Sequence, residues 1–445
     1  MKRLFPVLLA ALIVSGATAE DAPRPLSLAE AIRLALKNNP DLATAQQHVN
    51  AARAGIQQTE AALWPQVRLS GSYAASDNPV QAFMMTLNQR AFSFTGNFNH
   101  PDPTDNLNSK VLAQWSLYDG GQSLASRQAA KLNTEATRQT FAAASNDLVF
   151  EVTRAFHTIG KAREFFSAAA AAVASMEANV NVASNRFAAG NVLKTDLLDS
   201  QVRLAESQEN LIRARNAVAL SEVVFRTVIG VGEKENVTAI PIVGQASRLS
   251  PIDEADRRDA CPTNCLVRPE LAAAKQTVTA AERQVRAAQA GYIPRLNAFA
   301  SYDLDSGNGT RYVDSWLAGV SIDVNIFDGF LTRGKVLEAR ANLESARQQE
   351  RKVALGVTLE TRQAQLNLEE NEARLVTTGK SVEQAEESVQ ITKDRYANGL
   401  ALLTQLLDAE NALTAARQRR AAVGADLLIA RAALDHALGQ TWKDQ

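Results

Sequence analysis

The residues of this chain best suited to chemistry are few and scattered. Its four histidines, His48, His100, His157 and His436, lie far apart in sequence and show no metal-binding spacing. The glycine-rich stretch IGVGEKEN at 229–236 lacks the Gly-Lys-Ser/Thr ending with which a phosphate loop holds its anion. Glu369, Glu370 and Glu372 in LEENEA read as a solvated helix face rather than an acid–base pair. Cys261 and Cys265 in CPTNC make half a zinc site, or in an exported chain a small loop disulfide. None of this builds a cofactor pocket or a catalytic centre, so the sequence points to a non-enzyme whose function lies in its architecture.

The remaining candidates come in a repeated phrase. RFAAGNVLKTDLLDSQVRL at 186–204 matches RYANGLALLTQLLDAENAL at 395–413 when Gly190 is set against Gly399. The same offset sets SLYDGGQ at 116–122 against NIFDGFL at 325–331. Two further pairs, NPDLA at 39–43 with RPELA at 268–272 and LWPQVRL at 63–69 with YIPRLNA at 292–298, differ from that offset by an insertion. The insertion falls in the polar loop from about Asp77 to Ser109. An internal duplication accounts for all four pairs.

Long helices must present the repeated phrase. No proline lies between Pro103 and Pro241 or after Pro294, and proline is what would break them. Strong helix formers fill both gaps. Each runs about 69 residues to its glycine, roughly 100 Å at ~1.5 Å per residue. Gly190 and Gly399 supply the left-handed cap at which a helix ends and the chain turns. Shorter helices, stacked end to end, match the long ones and would bury their apolar stripes. The chain thus reads as four helical columns of similar length.

Between the paired landmarks lie strand patterns over 66–76, 110–118, 295–304 and 316–327. Val67, Leu69, Gly71 and Tyr73 alternate with Gln66, Arg68, Ser70 and Ser72. Trp316, Ala318, Val320, Ile322, Val324 and Ile326 alternate with Ser321, Asp323 and Asn325. Such alternation fits a transmembrane barrel strand as well as an ordinary antiparallel sheet. The N-terminus carries Lys2 and Arg3, an apolar core and Ala17-Thr18-Ala19, a signal peptide over 1–19. A net charge of −1 without a basic cluster argues against nucleic acid.

With its twin tips, YDGG and FDGF junctions and WPQ and IPR junctions in duplicated order, the chain resembles the outer membrane efflux protein family, the TolC-like channel-tunnels. The resemblance implies a mainly α fold with a four-stranded β portion: duplicated helical hairpins forming an α-barrel, and strands completing a 12-stranded barrel in a homotrimer. The repeats would cover 20–229 and 265–438, with a linker at 230–264 and a tail at 439–445. Implied location is the outer membrane of a Gram-negative bacterium, with a periplasmic tunnel. Implied partners are outer-membrane lipid, a periplasmic adaptor and an inner-membrane pump of RND, ABC or MFS type. Acidic residues six and nine positions after each tip glycine narrow the entrance in the family. That carries over to Asp196, Asp199 and Asp408, with Gln405 standing where the second motif commonly has Asp. Arg186, Arg395 and Tyr396 are gate-contact candidates, or else exposed helical pairs. Val192, Leu193, Leu400 and Ala401 beside the glycines would meet the adaptor. A structural coiled-coil surface protein without channel activity is the alternative.

Overall fold

The computed structural model describes residues 24–94, 97, 99–190, 192–232, 237–239, 268–307 and 309–439. The signal segment, Cys261 with Cys265, and most of the linker and tail lie outside the described residues. The chain divides into two compact units, one of 1–40, 145–259 and 361–445, the other of 41–144 and 260–360.

Along the chain, a short strand β1 (Arg24–Leu26) leads into α1 (Leu28–Asn38) and α2 (Pro40–Glu60). Strand β2 (Gln66–Ser76), helix α3 (Pro79–Asn88) and strand β3 (Thr104–Tyr118) follow. Then come α4 (Gln122–Ala188), α5 (Lys194–Val228) and β4 (Val237–Ala239). The second half repeats the plan: α6 (Pro269–Gln289), β5 (Arg295–Ser306), β6 (Val313–Asp323), α7 (Leu331–Ala397) and α8 (Leu403–Ala437). Helices α4 and α7 have 67 residues each, and α5 and α8 have 35 each. No described helix is long and apolar enough to cross a membrane.

In the unit of 41–144 and 260–360, β2, β3, β5 and β6 form one antiparallel sheet in that order. Strand β3 begins at Thr104, earlier than the alternation suggested, because Asn106 and Asn108 pair with polar partners. Asn106 Nδ2 donates to Asp305 Oδ1 at 2.6 Å, and Asn108 Nδ2 to the same oxygen at 3.0 Å. Strand β6 runs over Val313–Asp323 rather than to Phe327. Asp323 pairs with Arg295, and the next partner position back along β5 is Pro294, which has no N–H to give. Helix α3 occupies part of the segment read as a polar loop. Asn78 caps it by accepting from Val80 N and Gln81 N, and Pro79 sits where a missing N–H costs nothing.

Each return from sheet to long helix turns on an aspartate. Asp119 accepts from the Gly121 and Ser123 amides at 3.1 and 2.8 Å and from the Ser123 hydroxyl. Asp328 accepts from Thr332 N at 2.9 Å and Oγ1 at 2.5 Å, which holds its carboxyl below the ordinary value. These bonds satisfy the free amides of the first helical turn. Gly120 has φ of 72°, and a Cβ there would meet Ala290 O and Ile293 Cβ at 2.8 Å each, so only glycine fits.

In the other unit, α1, β1 and β4 close a core over α4 and α5: Leu26, Ile32, Val152, Phe156, Ile159, Phe225 and Ile229 are buried together. β1 pairs in parallel with β4. Arg163 ties that pair to α5 by donating to Ala239 O, Thr238 Oγ1 and Glu222 Oε1 at 2.7–2.9 Å. Asn39 Nδ2 donates to Val228 O at 2.9 Å and so satisfies a carbonyl at the end of α5.

Candidate functional site: a two-faced sheet and paired helical tips

The sheet sorts its side chains by polarity. On one face lie Gln66, Arg68, Ser70 and Ser72 of β2, Asn106, Asn108, Lys110 and Gln114 of β3, Asn297, Ser301, Asp303 and Asp305 of β5, and Ser321 and Asp323 of β6. They are bonded laterally: Lys110 Nζ lies 3.5 Å from Asp303, and Asn297 Nδ2 donates to Asp323 at 2.8 Å. The opposite face carries Val67, Leu69, Tyr73, Val111, Trp115, Tyr302, Trp316, Val320 and Ile322, all exposed; Leu69 and Trp316 reach 75 %. A soluble sheet buries its apolar face and wets its polar one. This sheet instead exposes a broad apolar face, as lipid-facing strands do. Strands β2 and β6 each leave one edge unpaired among the described residues.

The tip residues all fall in the unit of 1–40, 145–259 and 361–445. Gly190 and Gly399 have φ of 75° and 73°, and each turns the chain out of its long helix. The two hairpin ends pack on one another. Met176, Ala183, Tyr396, Leu403, Leu406 and Leu407 form a buried cluster, with Leu197, Leu204 and Ala401 against it. The Arg186 guanidinium lies over the Tyr396 ring at 4.3 Å and donates to Ala397 O at 3.1 Å. Arg395 stays exposed.

The carboxylates are not equivalent. Asp196 is half-buried, and its Oδ2 accepts from Leu193 N at 3.3 Å. Gln405 does the same for Leu402 N at 3.2 Å. Asp199 is exposed. Asp408, 69 % exposed, meets Arg203 of α5 at 3.3 Å. Of the four residues expected as docking surface, Leu193 and Leu400 are about 70 % exposed, Val192 is half-buried, and Ala401 packs into the tip cluster. Leu402 is the exposed neighbour that sequence reasoning passed over. Its equivalence to Leu193, one position ahead of each second helix, was available in the repeat. Arg203 and the buried Glu410, which accepts from Asn179 Nδ2 at 2.7 Å, were also missed. Among the described residues no cluster of His, Cys, Asp and Glu could hold a metal ion.

A family model described as outer membrane efflux protein matches residues 31–231 and 266–440. This chain belongs to the outer membrane efflux protein family. Among curated relatives, Protein CyaE of Bordetella pertussis is 26 % identical over 430 residues, covering 93 % of this chain and 84 % of that one. Outer membrane protein TolC of Escherichia coli is 22 % identical over 99 % of this chain and 87 % of its own. Alkaline protease secretion protein AprF of Pseudomonas aeruginosa is 24 % identical over 92 % and 83 %. The fold is that of solved outer membrane channels: Campylobacter jejuni CmeC superposes with a TM-score of 0.81 at 18 % identity, over 93 % of this chain and 85 % of that one. Membership of the outer membrane efflux protein family places the chain in the outer membrane and in efflux, which favours that reading over the structural surface protein.

Proposed function

We propose that three copies of this chain close twelve strands into one barrel and form the exit duct of an efflux or type I secretion machine. The observation that carries this is the two-faced sheet whose outer strands, β2 and β6, each leave one edge unpaired among the described residues. Four strands are too few to close, and an eight-stranded barrel is filled by its own side chains. Twelve leave a lumen, lined here by the polar face. The cargo would pass from an inner-membrane pump of RND, ABC or MFS type through a periplasmic adaptor, without any reaction on this chain. The exposed Leu193, Leu400 and Leu402 give the adaptor an apolar patch. Asp199 and Asp408 would ring the periplasmic entrance three times over, with Asp196 and Gln405 holding the helix starts behind them. Cys261 and Cys265 would be disulfide-bonded in the linker. The test is the mass of detergent-extracted protein and its conductance in planar bilayers. A conducting trimer is expected; a stable monomer in the soluble periplasmic fraction would overturn the reading.

A further inference from the structure

The duplication runs through the helices bound for bound. Gln122 and Ala188 of α4 answer Leu331 and Ala397 of α7, and Lys194 and Val228 of α5 answer Leu403 and Ala437 of α8, all at one offset. The two repeats also meet head to tail within the chain. The first offers α4 and Arg186, and the second offers α8 and Tyr396. Leu403, Leu406 and Leu407 of α8 are buried with Met176 and Ala183 of α4. Asn179 Nδ2 of α4 donates to Glu410 Oε2 of α8 at 2.7 Å, and the Arg186 guanidinium covers the Tyr396 ring at 4.3 Å. All of these residues belong to the unit of 1–40, 145–259 and 361–445.

A head-to-tail contact between two like bodies leaves one half of itself over at each end. In the second repeat, Arg395 stands where the first has Arg186, and Ser388 where it has Asn179. In the first repeat, Phe187 answers Tyr396, Leu198 answers Leu407 and Gln201 answers Glu410. Burial separates these equivalents. Tyr396 is 6 % exposed and Leu407 1 %, whereas Phe187 is 40 % exposed and Leu198 48 %. Glu410 is buried and Gln201 exposed; Arg186 and Asn179 are half-buried, and Arg395 and Ser388 exposed. The buried set has the other repeat against it, and the exposed set does not. Yet the exposed set carries the same chemistry in two complementary halves. Arg395 and Ser388 supply a guanidinium and a hydroxyl; Phe187, Gln201 and Leu198 supply an aromatic face, an amide and an apolar side chain.

We propose that Arg395 of one copy lies over Phe187 of the next, with Ser388 against Gln201 and Leu198 covered by the neighbour's α7. This rests on the trimeric reading. In a ring of three copies the repeats alternate, so the second repeat of each chain meets the first repeat of its neighbour. The contact made once inside the chain is then made again at every boundary between chains, which closes the ring of tips. Phenylalanine suits the seat as well as tyrosine does. The Tyr396 hydroxyl has no hydrogen-bond partner among the described residues, so the seat uses only the ring face that attracts the guanidinium. Arg186 also donates to Ala397 O at 3.1 Å, and Ala188 O is the equivalent acceptor for Arg395.

Two measurements on the detergent-extracted full-length protein test this. In a Cys261→Ser/Cys265→Ser background, Gln201→Cys with Ser388→Cys should give covalent dimers and trimers with a short bis-maleimide, and each single variant should give none. Gln201→Cys with Glu386→Cys should also give none, because Glu386 faces α8 of its own chain, where Arg417 reaches it at 2.8 Å. Phe187→Ala and Arg395→Ala should each lower the temperature at which the trimer dissociates, and the double variant should fall no further than the worse single. Phe187→Tyr should leave that temperature unchanged. A trimer of normal mass without the cross-link between positions 201 and 388, or with alanine losses that are absent or additive, overturns the interface and leaves the channel reading standing. A monomer in the unsubstituted protein overturns the channel reading and the interface with it.

Discussion

Asp196 and Gln405 do the same work in the two repeats. Each is the third residue of the helix that leaves its tip, and each side-chain oxygen accepts from a leucine amide, Leu193 at 3.3 Å and Leu402 at 3.2 Å. An exchange of Asp for Gln at this position keeps the acceptor while deleting the charge, so the cap tolerates it. Asp196→Gln should therefore leave the tip ordered. Asp196→Ala should cost roughly 1 kcal/mol of local stability. Amide exchange at Leu193 and the first turn of α5 would separate them; equal protection in both variants would show the bond to be inconsequential.

Asp408 is not a bare carboxylate, since Arg203 reaches it from α5. Their exposure makes the pair worth under about 1 kcal/mol, so its effect is on charge more than on stability. Arg203→Gln should strengthen cation preference and block by a trivalent cation at the periplasmic entrance. Asp199→Asn with Asp408→Asn should abolish both, and high salt should mute both. Reversal potentials of single channels decide it. No difference from wild type would move the aperture elsewhere.

His157 of α4 is buried enough to lower its pKa from 6.5 to about 4. Its folded state disfavours the proton, while the unfolded chain takes it up below about pH 6.5. The stabilisation of the neutral form is complete above that pH and is lost as pH falls toward 4. His157→Gln isolates the histidine. Between pH 6.5 and 4 the melting temperature of the variant should fall less than that of wild type; parallel curves would refute the assignment.

Much of the fold was legible because duplication repeats its own punctuation. Gly190 and Gly399, and Asp119 and Asp328, mark turn and cap in both halves, and proline-free runs left no other reading for α4 and α7. Alternation located β2 at its observed limits because Val67, Leu69 and Tyr73 contrast with serines. The same cue missed the start of β3, where TDNLN is polar on both faces and only the Asp305 pairing explains the strand. Helix α1 was passed over although Ser27 and Glu30 form a reciprocal cap, with Ser27 N donating to Glu30 at 2.9 Å and Glu30 N to Ser27 Oγ at 3.3 Å. At the tips, sequence placed the residues but not their partners. Arg203 and Asp408 are far apart in the chain, and only packing brings them together.

The glycines allow the last prediction, because two kinds of turn separate cleanly. Gly190 and Gly399 have positive φ, but a Cβ on either would touch nothing within 4 Å. Alanine there should cost only the left-handed backbone term, about 1–2 kcal/mol each. Gly120 carries the same backbone demand and also a collision at 2.8 Å with Ala290 O and Ile293 Cβ. Gly120→Ala must therefore displace the strand-to-helix junction as well as strain it, and should lose clearly more stability than either tip variant. Phe330 is the natural control, since it holds φ of 68° where the first repeat has Gly121 at 85°. Phe330→Gly should stabilise the junction by up to about 1 kcal/mol, less whatever its edge contact with Phe327 contributes. Thermal unfolding of the four detergent-purified variants gives the order: Phe330→Gly at or above wild type, the tip alanines below it, Gly120→Ala lowest. A Gly120→Ala protein as stable as Gly190→Ala would mean that the junction is loose, and that these turns do not fix where each long helix leaves the sheet.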